Sequence, residues 1–161
     1  MHLLGSGAIM REVIAAADLL SNEWQISSIA WSVTSFSELA REAREVSRHN
    51  RLHPSQRPLK SHLCSCLSEP FPIVAATDYV VAYPHLISSY VNQPFVALGT
   101  DGFGRSDTRG ALRSFFEVDR YHITVTALHT LAQQGLLASS VVESAIERYK
   151  INIHQGAPWT R

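Results

Sequence analysis

Cysteine is scarce in this chain. Cys64 and Cys66 are the only two in 161 residues and stand one position apart, so a disulfide framework is excluded and a reducing setting is expected. Long apolar runs are also absent. None approaches the roughly 20 residues a helix needs to cross a bilayer. Residues 1–7 lack the charged-then-apolar pattern of a secretion signal, so the expected location is cytoplasmic, without membrane contact. Neither sign of charge dominates, with Lys and Arg at 14 and Asp and Glu at 14. With no basic excess to neutralise phosphates, nucleic acid is excluded as a primary partner. Internal repeats and low-complexity tracts are missing too. What remains is a chain with 45% hydrophobic residues and a length that suits one domain with its own core.

Short β-rich runs alternate with helical periodicities. His2-Leu3-Leu4 reads as a strand remnant, and Gly5-Ser6-Gly7 turns the chain. Ile9, Val13, Ala16 and Leu20 then recur on one face of a helix. Residues 26–33 read as a second strand. Ser35 with Glu38 forms a capping box for a helix starting near Phe36, with Arg41 and Glu45 on its wet side. Residues 52–72, with Pro54, Pro58, Pro70 and Pro72, read as a long connection. Residues 73–77 are a strand buried on both faces. A helix is expected over 80–91 with Pro84 in its first turn, and a fourth strand over 95–98. Two closing helices follow, one ending at Gly135 and one opened by Ser140 with Glu143. Residues 1–153 form the expected domain, and 154–161 a loosely ordered tail. This strand–helix rhythm predicts a parallel sheet with helices on both faces.

The most informative segment runs from Leu98 to Arg109: Leu98-Gly99-Thr100-Asp101-Gly102-Phe103-Gly104-Arg105-Ser106-Asp107-Thr108-Arg109. Three glycines and a Ser-Asp pair between a strand and a helix make a loop with special backbone angles and a capped helix start. In open α/β sheets such loops line the crevice at the carboxyl ends of the strands. Asp101, Phe103, Arg105, Ser106, Asp107 and Arg109 are therefore the candidate residues for an interface or an anion site. Arg109 and Arg113, one turn apart, join Arg105 in a set suited to a carboxylate or phosphate. The plainer reading pairs these arginines with Asp107, Glu117 or a partner's carboxylates in a subunit interface, and it is the preferred one.

Other constellations are weaker. Gly5-Ser6-Gly7 could hold a phosphate at a helix N-terminus, but Met10 stands where a third glycine belongs and no acid ends the second strand. A tight turn is the better account. Cys64 and Cys66, in an extended segment with thiols on one side, have only His62 near them, which falls short of a zinc ligand set. Buried or half-buried thiols are expected. His122 and His129, two turns apart, could face a partner subunit. No nucleophile or metal site for a free-standing enzyme can be assembled from these residues.

Ser32 to Arg41, Leu52-His53-Pro54, Ala76-Thr77-Asp78-Tyr79 and the glycine loop together resemble the C-terminal domain of the homodimeric bacterial pyruvate dehydrogenases. These are the decarboxylating first components of the complex. The likeness covers residues 3–153, weakens at Cys64-Ser65-Cys66 and fades in the tail. It implies the transketolase C-terminal fold, three layers around a five-stranded sheet whose first strand is antiparallel. This chain starts where the family's second strand begins. The expectation is thus a three-layer α/β/α domain with four parallel strands in order 2-1-3-4, the antiparallel strand missing and the bared edge open to pairing. In that family thiamine diphosphate and its magnesium lie between upstream domains, under a Gly-Asp-Gly signature that Gly99-Thr100-Asp101-Gly102 does not match. The catalytic histidines and glutamate belong upstream as well. The resemblance implies no catalytic, cofactor-binding or metal-binding residue in this chain. Its expected partners are the upstream domains, a homodimer partner and, in the parent complex, the lipoyl-bearing second component. The competing expectation is a stand-alone module that binds a small anion at the glycine loop.

Overall fold

Four apolar runs, each too short for a helix, become the strands of one sheet. In this computed structural model, which describes residues 1–161, they are β1 (His2–Gly5), β2 (Ile29–Ser32), β3 (Ile73–Ala76) and β4 (Phe95–Leu98). All are parallel, in the order β2-β1-β3-β4. His2 lies opposite both Ile29 and Ile73, and Ile73 opposite Phe95. The expected four-strand order is thus observed. β1 is no remnant but a central strand, hydrogen-bonded on both sides and buried throughout. β3 is buried at every position, as an unbroken apolar run should be. β2 is an edge and is mostly exposed.

Seven helices surround the sheet: α1 (Met10–Trp24), α2 (Phe36–Leu52), α3 (His62–Cys66), α4 (Ala82–His85), α5 (Arg109–Phe115), α6 (Arg120–Gln133) and α7 (Ser139–Arg148). On one face Leu3, Val74 and Ala76 meet the predicted stripe Ile9, Val13, Ala16 and Leu20, together with Ile123, Ala127, Leu128 and Leu131 of α6. α7 adds Val142 and Ala145 to that core. On the other face Leu4, Ile73 and Ala75 meet Phe36 and Ala40 of α2, with Leu63 and Leu67 at α3. The period-3.6 apolar spacing is therefore what seats each long helix.

Side-chain caps fix where the helices start. Ser35 Oγ accepts from the Glu38 amide at 3.2 Å, as the capping box predicts. Asp119 Oδ1 accepts from the amides of Tyr121 and His122 and from His122 Nδ1 at 2.8 Å. Burial pushes the Asp119 carboxyl up, but the His122 hydrogen bonds and charge outweigh it and hold it below the ordinary range. Gly135 follows α6 at φ +72°, a left-handed position that glycine occupies without penalty.

Several expectations fail locally. The connection over 52–72 contains α3, opened by Ser61, whose Oγ accepts the Cys64 amide. Cys64 and Cys66 therefore lie on a helix and diverge. The Cys64 thiol donates to Tyr90 O, whereas Cys66 sits 3.5 Å from His62 Nε2. Cys64 is exposed, not buried. The helix expected over 80–91 breaks into α4 and a 3-10 turn, Ser88–Tyr90. Pro84 offers no amide donor, and only Pro84 and Ile87 of this stretch are buried, too little to support three turns. α7 begins at Ser139 with Ala138 as its uncapped entry, not at a Ser140 cap. The tail is docked: Pro158–Thr160 forms a 3-10 turn with Pro158 buried. Arg161 donates to Glu117 Oε1 at 2.7 Å.

Candidate functional site

The chain leaves β1 toward α1 on one face and leaves β3 toward α4, which packs by α2 on the other. The carboxyl ends of β1 and β3 thus bound the crevice where α/β sheets bind ligands. Here that crevice is filled from within. Asp78 Oδ2 accepts from the Ala8 amide at 3.0 Å, and Ser6 Oγ donates to Thr77 Oγ1 at 2.7 Å. Gly7 holds φ +55°, and a Cβ there would strike the Asp78 carboxylate. The position a phosphate would take at Gly5-Ser6-Gly7 belongs to the protein's own carboxylate, which accounts for the tight turn.

The glycine loop is laced to the segment that follows β3. Thr100 N donates to Tyr79 O at 2.8 Å, Thr100 Oγ1 to Asp78 O at 2.9 Å, and the Val81 amide to Asp101 Oδ2 at 3.1 Å. A Cβ at Gly99 would lie 2.6 Å from Val81 N and 2.7 Å from Tyr79 O. That close approach explains the first glycine. Gly102, at φ +105°, turns the loop where Trp159 of the tail packs on it, with Trp159 Cα only 3.0 Å from a Cβ placed there.

Each predicted loop residue can be placed. Asp101 is tied to Val81 as above. Phe103 is 92% exposed. Arg105 lies over the Phe115 ring with its guanidinium carbon 4.1 Å from the centroid, and Arg161 lies over the same ring at 4.8 Å. Ser106 is exposed and makes no hydrogen bond within the chain. Asp107 Oδ1 accepts from the Thr108 amide at 2.6 Å, and Thr108 caps α5 by accepting the Ala111 amide. Arg109 opens α5 and its side chain pairs with nothing. Arg105, Arg109 and Arg113 line one cavity of about 370 Å³ with Gly102, Gly104 and Asp78.

Arg113 pairs with neither Asp107 nor Glu117. Its partner is Glu12 of α1, which is 4% exposed and also bound by Arg120. The Glu12 oxygens accept from Arg113 Nη1 at 2.8 Å and Arg120 Nε at 2.9 Å, and from the Arg120 amide at 3.1 Å. Burial pushes the Glu12 carboxyl up, but the Arg120 hydrogen bonds and the two guanidinium charges prevail and hold it below the usual range. Sequence reasoning missed Glu12. The available signal was its position between Ile9 and Ala16, on the buried stripe of α1. His122 is half-buried and held by Asp119, whereas His129 is exposed.

The same end of the sheet exposes large apolar side chains besides Phe103, with Tyr79 at 62% and Trp159 at 64% exposure. No group of three His, Cys, Asp or Glu side chains converges to hold a metal. No helix is long and apolar enough to cross a membrane.

A three-layer α/β/α domain with an all-parallel four-stranded sheet and a glycine loop at its carboxyl end is the class that fold and site define. The chain belongs to the transketolase-like TK C-terminal domain family, whose pattern matches residues 1–119. It is 50% identical over 159 residues to the pyruvate dehydrogenase E1 component of Cupriavidus necator, a match covering 98% of this chain and 18% of that protein. The Pseudomonas aeruginosa protein of the same name is 46% identical over 160 residues, with the same coverage. The Escherichia coli K12 one is 40% identical over 159 residues. The chain thus spans less than a fifth of the length of these relatives. Among solved structures, one described as a split gene transketolase, inactive beta4 tetramer, aligns with TM-score 0.55 at 14% identity. That alignment covers 81% of this chain and 39% of that one, and shares the fold.

Proposed function

We propose that this chain is the C-terminal domain of a thiamine diphosphate-dependent pyruvate dehydrogenase first component, and that it braces the assembly rather than carrying out the chemistry. The parent would be a cytoplasmic homodimer that oxidatively decarboxylates pyruvate and passes the acetyl group to the lipoyl group of the second component. The observation that carries this reading is 50% identity along 98% of the chain against only 18% of the relative's length. On this reading thiamine diphosphate and its magnesium are held by the upstream domains rather than by this chain. The carboxylates at the site, Asp78, Asp101 and Asp107, each accept from a backbone amide of this chain. No three potential metal ligands converge. What the chain offers a neighbour is the aromatic end of the sheet. Exposed Phe103, Tyr79 and Trp159, flanked by arginines, have the composition of interface anchors.

An activity assay tests this reading. The Cupriavidus necator relative, shortened by the segment equivalent to this chain, is assayed for pyruvate-dependent reduction of an electron acceptor, alone and with the 161-residue chain added. The expected result is no turnover by this chain alone, a depressed rate for the shortened relative, and recovery on mixing. Turnover by the isolated chain would overturn the proposal.

A further inference from the structure

We propose that the cavity beneath the glycine loop is a receptor for a phosphate-type oxyanion, either inorganic phosphate or the phosphoryl group of a small phosphomonoester. The proposal stands on the cavity alone and does not need the assembly reading.

Three guanidiniums and a single carboxylate line the space, which has a volume of about 370 Å³. The carboxylate, Asp78, already accepts the Ala8 amide and is packed against Gly7. Arg113 is committed to Glu12 and to Ala8 O. Arg105 and Arg109 have no acidic partner. Arg105 is nevertheless not a loose surface side chain. Its guanidinium rests on Phe115, a ring it shares with Arg161, whose own charge is answered by Glu117. A guanidinium stacked in place and left without a counter-charge has its binding geometry set in advance.

The backbone supplies a second, independent observation. None of the amides of residues 101–107 donates a hydrogen bond within the chain, and two of them belong to Gly102 and Gly104 at the cavity wall. Amides left free at Gly102 and Gly104, beside guanidiniums, add donors of the kind that bind tetrahedral oxyanions. A dianion with several acceptor oxygens uses such a set more fully than a monocarboxylate does. The volume also leaves room for a small organic group attached to the anion.

The test is titration calorimetry on the 161-residue chain with inorganic phosphate and, separately, glycerol phosphate, at constant ionic strength with chloride as the balancing ion. Saturable one-to-one binding is expected. Arg109→Gln and Arg105→Gln should each weaken it about tenfold, as expected on removing a charge-assisted hydrogen bond. Arg57→Gln, far off in the 52–72 connection, should leave it unchanged. The Arg109 side chain makes no hydrogen bond or ion pair within the chain, so its variant reports on binding rather than on a lost internal bond. Phosphate affinity should rise between about pH 6 and 8 as the second proton leaves, while sulfate should show no such rise. Tighter binding of glycerol phosphate identifies a phosphomonoester as the natural occupant; equal or weaker binding identifies free phosphate. No saturable heat beyond chloride, or full affinity in the Arg105→Gln, Arg109→Gln double variant, would overturn the proposal. Neither result would bear on assembly with upstream domains.

Discussion

Glu12→Ala is expected to cost about 3–5 kcal/mol of folding stability, the range for removing one partner of a buried ion pair. Glu12 is buried where α1 meets the junction of α5 and α6, and it holds two arginines at once. Its Oε2 also accepts the Arg120 amide, one of the first amides of α6, which have no partner within that helix. The substitution therefore leaves two guanidiniums and a helix terminus short of a partner. At roughly 2–4 °C per kcal/mol for a domain of this size, Tm should fall by about 10 °C. Glu12→Gln, which keeps the shape and loses the charge, should recover only part of this. The pH dependence has a definite sign. A carboxyl held below its ordinary value in the folded state contributes stability that is fully present above about pH 4.3, the unfolded value. That contribution is lost as pH falls through the folded value. The gap between the native chain and Glu12→Ala, followed by urea denaturation, should therefore narrow toward pH 3. A gap that stays constant from pH 7 to pH 3 would show that charge pairing is not the cause.

Gly99→Ala is the second large effect, roughly 3 kcal/mol from overpacking together with the hydrogen bonds it strains. The new methyl would meet Val81 N and Tyr79 O, backbone atoms that cannot rotate aside. To make room, the loop must give up the Thr100–Tyr79 and Val81–Asp101 hydrogen bonds that tie it to the segment after β3. Gly104→Ala provides the comparison. Nothing lies within 4 Å of a Cβ at Gly104, so its midpoint of unfolding should shift by no more than about 0.5 kcal/mol equivalent. Equal effects at the two glycines would refute this account of the loop.

The strands and the long helices were legible because local pattern and tertiary packing agree there, whereas the order of the strands in the sheet followed from the family resemblance. Ile9, Val13, Ala16 and Leu20 repeat at helical spacing and are all buried. Ser35 and Gly135 carry their end signals within a few residues of the helices they bound. Short elements were less legible. α3 has five residues and no room for a period to appear, so only Ser61 announces it. The prolines of the same connection outweighed that one signal. Contacts between distant positions were not legible at all. Arg113 meets Glu12 across 101 positions, and Asp78 meets Ala8 across 70. The docked tail belongs with these, since it rests on Trp159 against Gly102 and Arg161 on Phe115 and Glu117, none of them a local pairing. The candidate loop was found from its glycines and charges. Which of its charges are spent and which are free follows only from these long-range partners.

The most direct test of the assembly claim is sedimentation velocity on the Cupriavidus necator relative, intact and shortened by the segment equivalent to this chain. The account predicts that the shortened protein sediments as a smaller species and that adding the 161-residue chain restores the larger one. A Phe103→Ser, Tyr79→Ser version of the chain should restore it poorly. Identical sedimentation of the intact and shortened proteins, with no association of the added chain, would contradict the claim.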